Sequence, residues 1–293
     1  MMSDSLDSLQ RKISNAQDLA AVVRAMKALS ASSIVQYERA LQSLGEYAHT
    51  VELGLFVWLR QSGTVLPLNG RVGGCGKMIG AVVFGSDQGL VGQFNEMLAA
   101  FASESLAGTE TPYIWAVGER MRDFLDEAGL RVSGQYPVPN SIAAIAPLVG
   151  RILMEIETLR EQGRIEQVYL FNNRPVSGGG YSPAKLRLLP LDESWLQDFL
   201  HLKWPDKNLP EVIGAQEAAL KALIREYLFI ILFRTCAESL ASEHASRLAA
   251  MQRAEKNIDE IMEALRQSFH LQRQNTIDEE LFDVIAGFEA LVR

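Results

Sequence analysis

Residues 241–269 read ASEHASRLAAMQRAEKNIDEIMEALRQSF, and this stretch decides the fold. Its core positions fall alternately three and four residues apart, which is the spacing of a coiled-coil seam and not the broader stripe of an ordinary surface helix. We predict one long helix from near Ala215 to the C-terminus, about 115 Å long at 1.5 Å per residue, which would project from any domain of this chain. The seam positions are Ala241, His244, Leu248, Met251, Glu255, Ile258, Met262, Leu265 and Phe269.

The apolar stripe changes face near the C-terminus. After Phe269 it resumes only at Ile277, following a longer step, so the stripe has drifted around the helix. We expect this end to contact something other than the partner helix of the seam. The drifted positions are Ile277, Leu281, Val284, Phe288 and Leu291.

A second long helix with the same spacing is predicted at the N-terminus. Two seams in one chain are most simply satisfied by each other, which predicts an antiparallel coiled coil of the two chain ends. The small Ala16 and Ala20 favour a close approach near Lys27 and Ser30, whose polar side chains should then point outward. The alternative is that each helix self-associates. The seam positions are Leu6, Leu9, Ile13, Ala16, Ala20, Val23, Lys27, Ser30, Ile34, Tyr37, Leu41, Leu44, Ala48, Val51, Leu55 and Trp58.

The composition is that of a globular, acidic protein. Of 293 residues, 28 are Lys or Arg and 36 are Asp or Glu, the net charge is -8, and 48% are hydrophobic. This balance argues against binding to nucleic acid or to an anionic membrane through a basic patch. The N-terminus has no signal-peptide pattern, and the densest apolar run, 227–233, is too short to span a bilayer. We expect a cytoplasmic location without direct membrane insertion.

Cysteine and histidine usage predicts neither a disulfide nor a metal centre. Cys75 and Cys236 lie far apart, and disulfides are rare in cytoplasmic chains. The four histidines show no metal-ligand spacing. No G-x-S-x-G, H-E-x-x-H or C-x-x-C motif occurs, so we expect no catalytic residues, no cofactor and a chain that is not itself an enzyme.

The middle of the chain predicts a small α/β domain. Strands are expected at 79–84, 113–117, 167–171 and 186–191, the last pairing back as a hairpin, with helices near 95–106, 119–128 and 142–161 between them. This alternation predicts a doubly wound sheet. The fold class is therefore an N-terminal coiled-coil helix over 1–62, an α/β domain over 63–213 and a C-terminal coiled-coil helix over 214–293.

Two glycine-rich segments invite comparison with phosphate-binding loops, and neither fits. Residues 73–77, GGCGK, lack the glycine and the hydroxyl residue of a P-loop, and a strand follows them. Residues 85–92, GSDQGLVG, lack G-x-G-x-x-G spacing and carry an acidic side chain that opposes a phosphate. We interpret the second segment as a demanding turn against which a partner or the long helices pack. Its key residues are Ser86, Asp87, Gln88, Gly89 and Gly92.

Three stretches carry a resemblance to a known family. Residues 11–13 with 23–27 are similar to R-I-x-S-V…I-T-K-A-M-K, and residues 86–95 are similar to S-D-R-G-L-C-G-G-x-N. Residues 241–251, with Asn257 and 273–277, resemble A-S-E-x-A-A-R-M-x-A-M…N and R-Q-x-x-I-T-x-E. Together they resemble the gamma subunit of F-type ATP synthases over essentially the whole chain. The last motif is the most specific, because its polar chemistry would not arise from a generic heptad.

The departures from these motifs indicate a divergent member. Gln88 and Gln93 replace an arginine and a glycine, Arg24 replaces a lysine, and Asp278 stands where the family has threonine. We interpret the chain as the gamma subunit of an alternate ATP synthase encoded beside a standard one, with H⁺ or Na⁺ as its coupling ion.

The resemblance implies a non-catalytic rotor, the central stalk that transmits torque between an ion-driven membrane ring and the catalytic alpha/beta hexamer. Its implied partners are the alpha, beta and epsilon subunits and the c-subunit ring, at the cytoplasmic face of the bacterial plasma membrane. The implied contacts to the alpha/beta ring are Arg24, Met26, Lys27, Arg273, Gln274 and Asp278.

Two other function classes remain as alternatives. A cytoplasmic coiled-coil scaffold would dimerise through the same helices, and a nucleotide-dependent enzyme would use the loop 85–92. Crosslinks between chains would favour the first alternative, and tight binding of NAD or ATP would favour the second.

Overall fold

The computed structural model describes residues 5–62, 79–109, 112–176, 180–191, 204–205, 208, 210 and 215–292. The segment 73–77, with Cys75, and most of 192–214 lie outside these ranges. In chain order the elements are α1 Leu6–Ser62, β1 Ile79–Phe84, α2 Phe94–Leu106, β2 Tyr113–Val117, α3 Glu119–Glu127, β3 Val132–Tyr136, α4 Ile142–Glu161, β4 Gln167–Val176, β5 Gly180–Leu189 and α5 Gln216–Val292.

The predicted elements are present, with three differences in the sheet. The bounds of β1, β2 and α4 match the sequence prediction. Strand β3 was not predicted, since V132–Y136 reads VSGQY and mixes small and polar residues. Strand β4 extends beyond the carboxyl end of its predicted range, and β5 begins before its predicted start at 186 and ends at Leu189, before its predicted end at 191.

The sheet has the order β3-β2-β1-β4-β5. Strands β1 to β4 are parallel, and β5 pairs with β4 in antiparallel fashion, as the predicted hairpin requires. The chain leaves β1 toward β2 and β3, and later returns to the other side of β1 as β4. The strand order therefore reverses between β1 and β4, which is the topological switch point of a doubly wound sheet.

Alternate side chains of β1 enter two separate cores, as a strand buried on both faces requires. Ala81 and Val83 pack with residues of α2 and α3. Val82 and Phe84 pack with residues of α4 and with the stretch of α5 from Leu228 to Ala241. One of the long terminal helices thus supplies part of the core of the sheet.

Two compact units can be distinguished, residues 1–30 with 248–293 and residues 31–247. Each contains part of both long helices, so the units differ from the three predicted domains. In the first unit Ala20 and Val23 form a cluster with Met251 and Ile258. In the second, residues 48–59 of α1 pack against Leu220 and Ile230 of α5. Both clusters pair α1 with α5 within the one chain.

Burial confirms both predicted seams. Every predicted seam position of α1, and every one of α5 from Ala241 to Phe269, is buried or half-buried. The drifted stripe behaves differently, because Ile277, Leu281 and Val284 are 52%, 56% and 70% exposed. As expected, this part of α5 leaves the seam.

The predicted outward orientation of Lys27 and Ser30 is wrong. Ser30 is 2% exposed, and Lys27 is half-buried. Both residues follow the period of the seam, and this period places their side chains between the helices despite their polarity.

Replacing Ile258 by alanine should destabilise the helix pair. Ile258 is 7% exposed within the cluster, whereas Ile261 on the same helix is 55% exposed. We expect Ile258→Ala to lower the free energy of unfolding by about 2–5 kcal/mol, measured by urea unfolding of the full chain. The matched control Ile261→Ala should change it by less than about 0.5 kcal/mol. Equal effects of the two substitutions would contradict the assigned seam.

Candidate functional site

The polar interruptions of the two seams pair with each other across the helices. Lys27 Nζ lies 2.5 Å from Glu255 Oε2. The Tyr37 and His244 rings stack with centroids 5.7 Å apart and planes 18° apart. Polar seam residues of this kind specify register in coiled coils, because a slipped alignment separates them. These two contacts therefore fix which residues of α1 face which residues of α5.

The predicted contact residues of the first unit differ in how much surface they offer. Arg24 is exposed, Met26 is half-buried against the cluster around Val23, and Lys27 is engaged with Glu255. On α5, Arg273, Gln274 and Asp278 are all exposed. Lys27 is thus a partly buried side chain of an internal ion pair, which corrects its reading as an exposed cation.

The loop 85–92 is held from within by a short hydrogen-bond network. Ser86 is fully buried, and its backbone N–H donates to Asn95 Oδ1 at 3.0 Å. Asn95 Nδ2 donates to Ser86 Oγ at 2.8 Å, and that hydroxyl donates to the Gln88 carbonyl at 2.9 Å. The predicted demanding turn is confirmed, since Leu90 and Gly92 have φ values of 62° and 58°.

Asp87 ties this loop to two neighbouring segments. Its Oδ1 accepts from the backbone N–H of Glu119, at the start of α3, at 2.9 Å. Its Oδ2 accepts from the N–H of Val138, after β3, at 2.9 Å. A carboxylate at a helix N-terminus satisfies an otherwise free N–H and interacts favourably with the helix dipole. Asp87 is a structural acceptor here, and both of its oxygens are used.

Close packing at Gly118 explains how the loop fits against α3. A Cβ at Gly118 would lie 2.6 Å from the Ser86 carbonyl oxygen, and its φ is 115°. Only glycine combines that backbone conformation with that approach. The loop 85–92 is therefore packed directly against the turn that begins α3.

Helix α5 lies across the carboxyl ends of β1 and β4. Ser239 Oγ donates to the carbonyl of Phe84, the last residue of β1, at 2.9 Å. Ser246 Oγ donates to the carbonyl of Val91, in the following loop, at 2.5 Å. On the other strand, Asn172 Nδ2 donates to the Thr235 carbonyl at 3.5 Å. Open α/β sheets bind their ligands in this crevice, outside the strand ends at the switch point. In this chain a segment of α5 occupies it.

The same segment carries a buried ion pair. Glu243 Oε1 and Arg247 Nη2 are 2.6 Å apart, and their side chains are 6% and 8% exposed. Burial raises the pKa of the Glu243 carboxyl against the opposing effect of Arg247, and the nearby Asp87 carboxylate raises it further. Arg247 therefore compensates acidic groups that would otherwise be costly to bury together.

Replacing Arg247 alone should lower the free energy of unfolding more than replacing both Arg247 and Glu243. Arg247→Met leaves Glu243 buried without its partner, and we expect a loss of about 3–5 kcal/mol in the free energy of unfolding. Glu243→Met combined with Arg247→Met removes both charges and should recover most of that loss. Urea unfolding of both variants measures the difference. A double variant less stable than Arg247→Met would overturn this account.

His244 is held neutral. Burial, with a smaller contribution from Arg247, lowers the pKa of its imidazole from 6.5 to about 4. Burial, followed by Cys236 and Glu243, raises the pKa of the stacked Tyr37 to about 12. Both rings are thus uncharged near neutral pH.

Acidification should weaken the fold in part through His244. Between pH 6.5 and about 4 the unfolded chain takes up a proton that the folded chain excludes, so stability is retained above this window and lost as pH falls through it. His244→Phe keeps a ring against Tyr37 but cannot protonate. We expect the urea midpoint to fall less in this variant than in the wild type between about pH 7 and about pH 4.5. Parallel profiles for the two proteins would exclude His244 as a contributor.

The part of the chain that the structure describes offers neither a metal site nor a membrane span. Within it, no cluster of three or more His, Cys, Asp or Glu side chains is arranged to hold a metal ion. None of its helices contains a stretch long and apolar enough to cross a membrane. Cys236 is a buried free thiol, and burial raises its pKa.

Sequence reasoning missed the residues that dock α5 onto the sheet. Ser239, Thr235 and Asn172 were not singled out, and Glu243, Ser246 and Arg247 appeared only inside the quoted motif. Periodicity offered no signal for them, because polar residues between seam positions are also what the solvent-facing side of a coiled-coil helix carries. The sequence also does not identify the hydrogen-bond acceptors, because Phe84 and Val91 accept through backbone carbonyls, which every residue carries.

Comparison with known proteins agrees with this geometry. A sequence model of the ATP synthase family matches residues 5–291. Among curated relatives named ATP synthase gamma chain, that of Lachnoclostridium phytofermentans is 26% identical over 294 residues, covering 98% of this chain and 99% of the relative. That of Heliobacterium modesticaldum is 29% identical over 219 residues, covering 73% and 74%.

Solved structures share the fold. A chain of the Euglena gracilis mitochondrial ATP synthase (OSCP/F1/c-ring) aligns with a TM-score of 0.63 at 14% identity, over 98% of this chain and 94% of that one. A chain of the Tetrahymena thermophila central stalk and c-ring aligns with a TM-score of 0.57 at 19% identity, over 80% and 99%. With nearly the whole sequence matched and the paired helices and sheet in place, this chain belongs to the ATP synthase gamma-chain family.

Proposed function

We propose that this chain is the non-catalytic central-stalk rotor of an F-type ATP synthase, transmitting torque between a membrane ring and a catalytic alpha/beta ring. The observation that carries the proposal is the antiparallel pairing of α1 with α5 through complementary seams. Packing of knobs into holes along such a seam stiffens both helices against bending. Stiffness is what a component that transmits rotation requires.

The exposed surfaces support contact with a surrounding ring. Leu281 and Val284 leave the seam and expose apolar surface near the end of α5. Such surface favours an apolar environment supplied by partner subunits. Arg24 and Arg273 remain exposed for contact with acidic partner surfaces, although a single exposed ion pair contributes only about 0–1 kcal/mol.

The proposal extends to specific partners and to location. The chain would bind the alpha and beta subunits through α1 and α5, and the epsilon subunit and c-subunit ring through its α/β domain. It would lie at the cytoplasmic face of a bacterial plasma membrane, as a peripheral part of a complex that transports H⁺ or Na⁺. Arg24, Met26, Lys27, Arg273, Gln274 and Asp278 are the proposed ring contacts, with Lys27 acting through its pair with Glu255.

Native mass spectrometry of the chain purified with its bound partners tests this function. The expected result is a complex containing alpha, beta and epsilon subunits, which hydrolyses ATP while the isolated chain does not. ATP hydrolysis by the isolated chain would contradict the proposal. Recovery of a homodimer alone, with crosslinks between the α1 and α5 seams of different chains, would instead support a scaffold.

Truncating Arg273 should reduce coupling without preventing assembly. Its side chain is exposed and outside the seam, so Arg273→Ala should leave the fold intact. We expect ATP synthesis per assembled complex to fall by about two- to fivefold, as for loss of one exposed ion pair. The control is Arg131→Ala, which removes an exposed arginine of the α/β domain. Unchanged synthesis in Arg273→Ala would refute its assignment as a ring contact.

A further inference from the structure

We propose that Ser239 and Ser246 are positioning residues that lock the α/β domain against rotation about the segment of α5 that packs on it, residues 228–247, so that the domain stays fixed to this segment under load. This inference rests on the proposed rotor function. It assigns a role to the polar contacts at the switch point, which the pairing of α1 with α5 leaves unexplained.

The hydroxyls of Ser239 and Ser246 make equivalent hydrogen bonds to the backbone of the α/β domain. Ser239 and Ser246 are 3% and 8% exposed, and both donate to backbone carbonyls, those of Phe84 and Val91. They lie two turns apart on α5 and therefore on nearly the same face. Because the acceptors belong to the backbone of β1 and its loop, any rotation of α5 relative to the sheet must break both bonds.

Strand β4 is also bonded to α5, through Glu238, which directly precedes Ser239. Glu238 Oε2 lies 3.3 Å from Arg174 Nε and accepts from Asn172 Nδ2 at 3.4 Å. Asn172 is fully buried, and Asn173 beside it donates to the Phe94 carbonyl, at the start of α2, at 2.9 Å. Strand β4 is thus bonded to α5 on one face and to α2 on the other.

The directional bonds add to the packing of the surrounding apolar core. Leu228, Leu232 and Leu240 of α5 pack on the sheet and on α4. Hydrophobic contact is non-directional and depends mainly on buried area, and the close packing of these side chains resists displacement. Hydrogen bonds weaken steeply when their geometry is lost. A twisting load about the helix axis therefore acts on the serine and asparagine bonds as well as on the packed side chains.

The experiment compares synthesis and hydrolysis in the assembled complex. Ser246→Ala, alone and with Ser239→Ala, is introduced into the full chain, and ATP synthesis by reconstituted complexes is measured over a range of ion-motive force. We expect unchanged subunit content and ATP hydrolysis, and synthesis reduced about two- to tenfold at low driving force, as expected for loss of one or two buried hydrogen bonds. Ser246→Thr, which retains the hydroxyl, should restore synthesis.

Ser268→Ala is the matched control on the same helix. Ser268 is exposed, and its hydroxyl donates along its own helix, to the Ala264 carbonyl at 2.9 Å. This variant should synthesise ATP as the wild type does. If Ser246→Ala also synthesises ATP as the wild type does at every driving force, the proposed role of the two serines is wrong. The proposed rotor function is unaffected by that result. A wild-type complex without coupled synthesis would instead count against the rotor function itself.

A second measurement, hydrogen exchange, also applies to variants that do not assemble into the complex. Hydrogen exchange of the full chain reports whether β1 and its loop remain attached to α5. Ser246→Ala should increase exchange in 85–95 and leave exchange in 251–262 unchanged, and Ser268→Ala should change neither. Equal protection of 85–95 in Ser246→Ala and in the wild type would overturn the proposal without reference to activity.

Discussion

Burial of one stripe of α1 against one stripe of α5 is the constraint on which this structure depends. In folded proteins most of the stability of a helix comes from packing of its apolar face, and this applies to α1 and α5, which are 57 and 77 residues long. The seam positions supply that packing in both compact units. Its polar members form internal partnerships, Lys27 with Glu255 and Tyr37 with His244, so that burial and alignment are achieved by the same residues.

The α/β domain is built around the same helix. A doubly wound sheet leaves a crevice at its switch point, and in many proteins a ligand fills it. Here α5 fills it, and Ser239 and Asn172 make hydrogen bonds between the helix and the sheet. A sheet topology that binds cofactors in many proteins thus binds a helix of the same chain here. This is a physical reason to expect a role in assembly and not in catalysis.

The sequence allowed the long helices, both seams and most of the sheet to be predicted, because their periodicity is local. The features that the sequence did not predict also have physical reasons. Strand β3 is a half-buried edge strand without an apolar run, and β4 continues through Asn172 and Asn173, which are poor strand formers stabilised by tertiary hydrogen bonds. Lys27 looked like a surface cation because the register that brings it to Glu255 depends on both helices at once. Ring contacts such as Arg273 remain predictions.

The spacing of Ser239 and Ser246 has a consequence for how this segment can diverge. A threonine at either position would retain the donating hydroxyl, whereas one inserted residue between them would turn the second by about 100° and carry it off the sheet. Homologous chains that keep both bonds must therefore keep this interval at constant length. Natural variation should accumulate there as substitutions, with gaps confined to the connections between strands and helices.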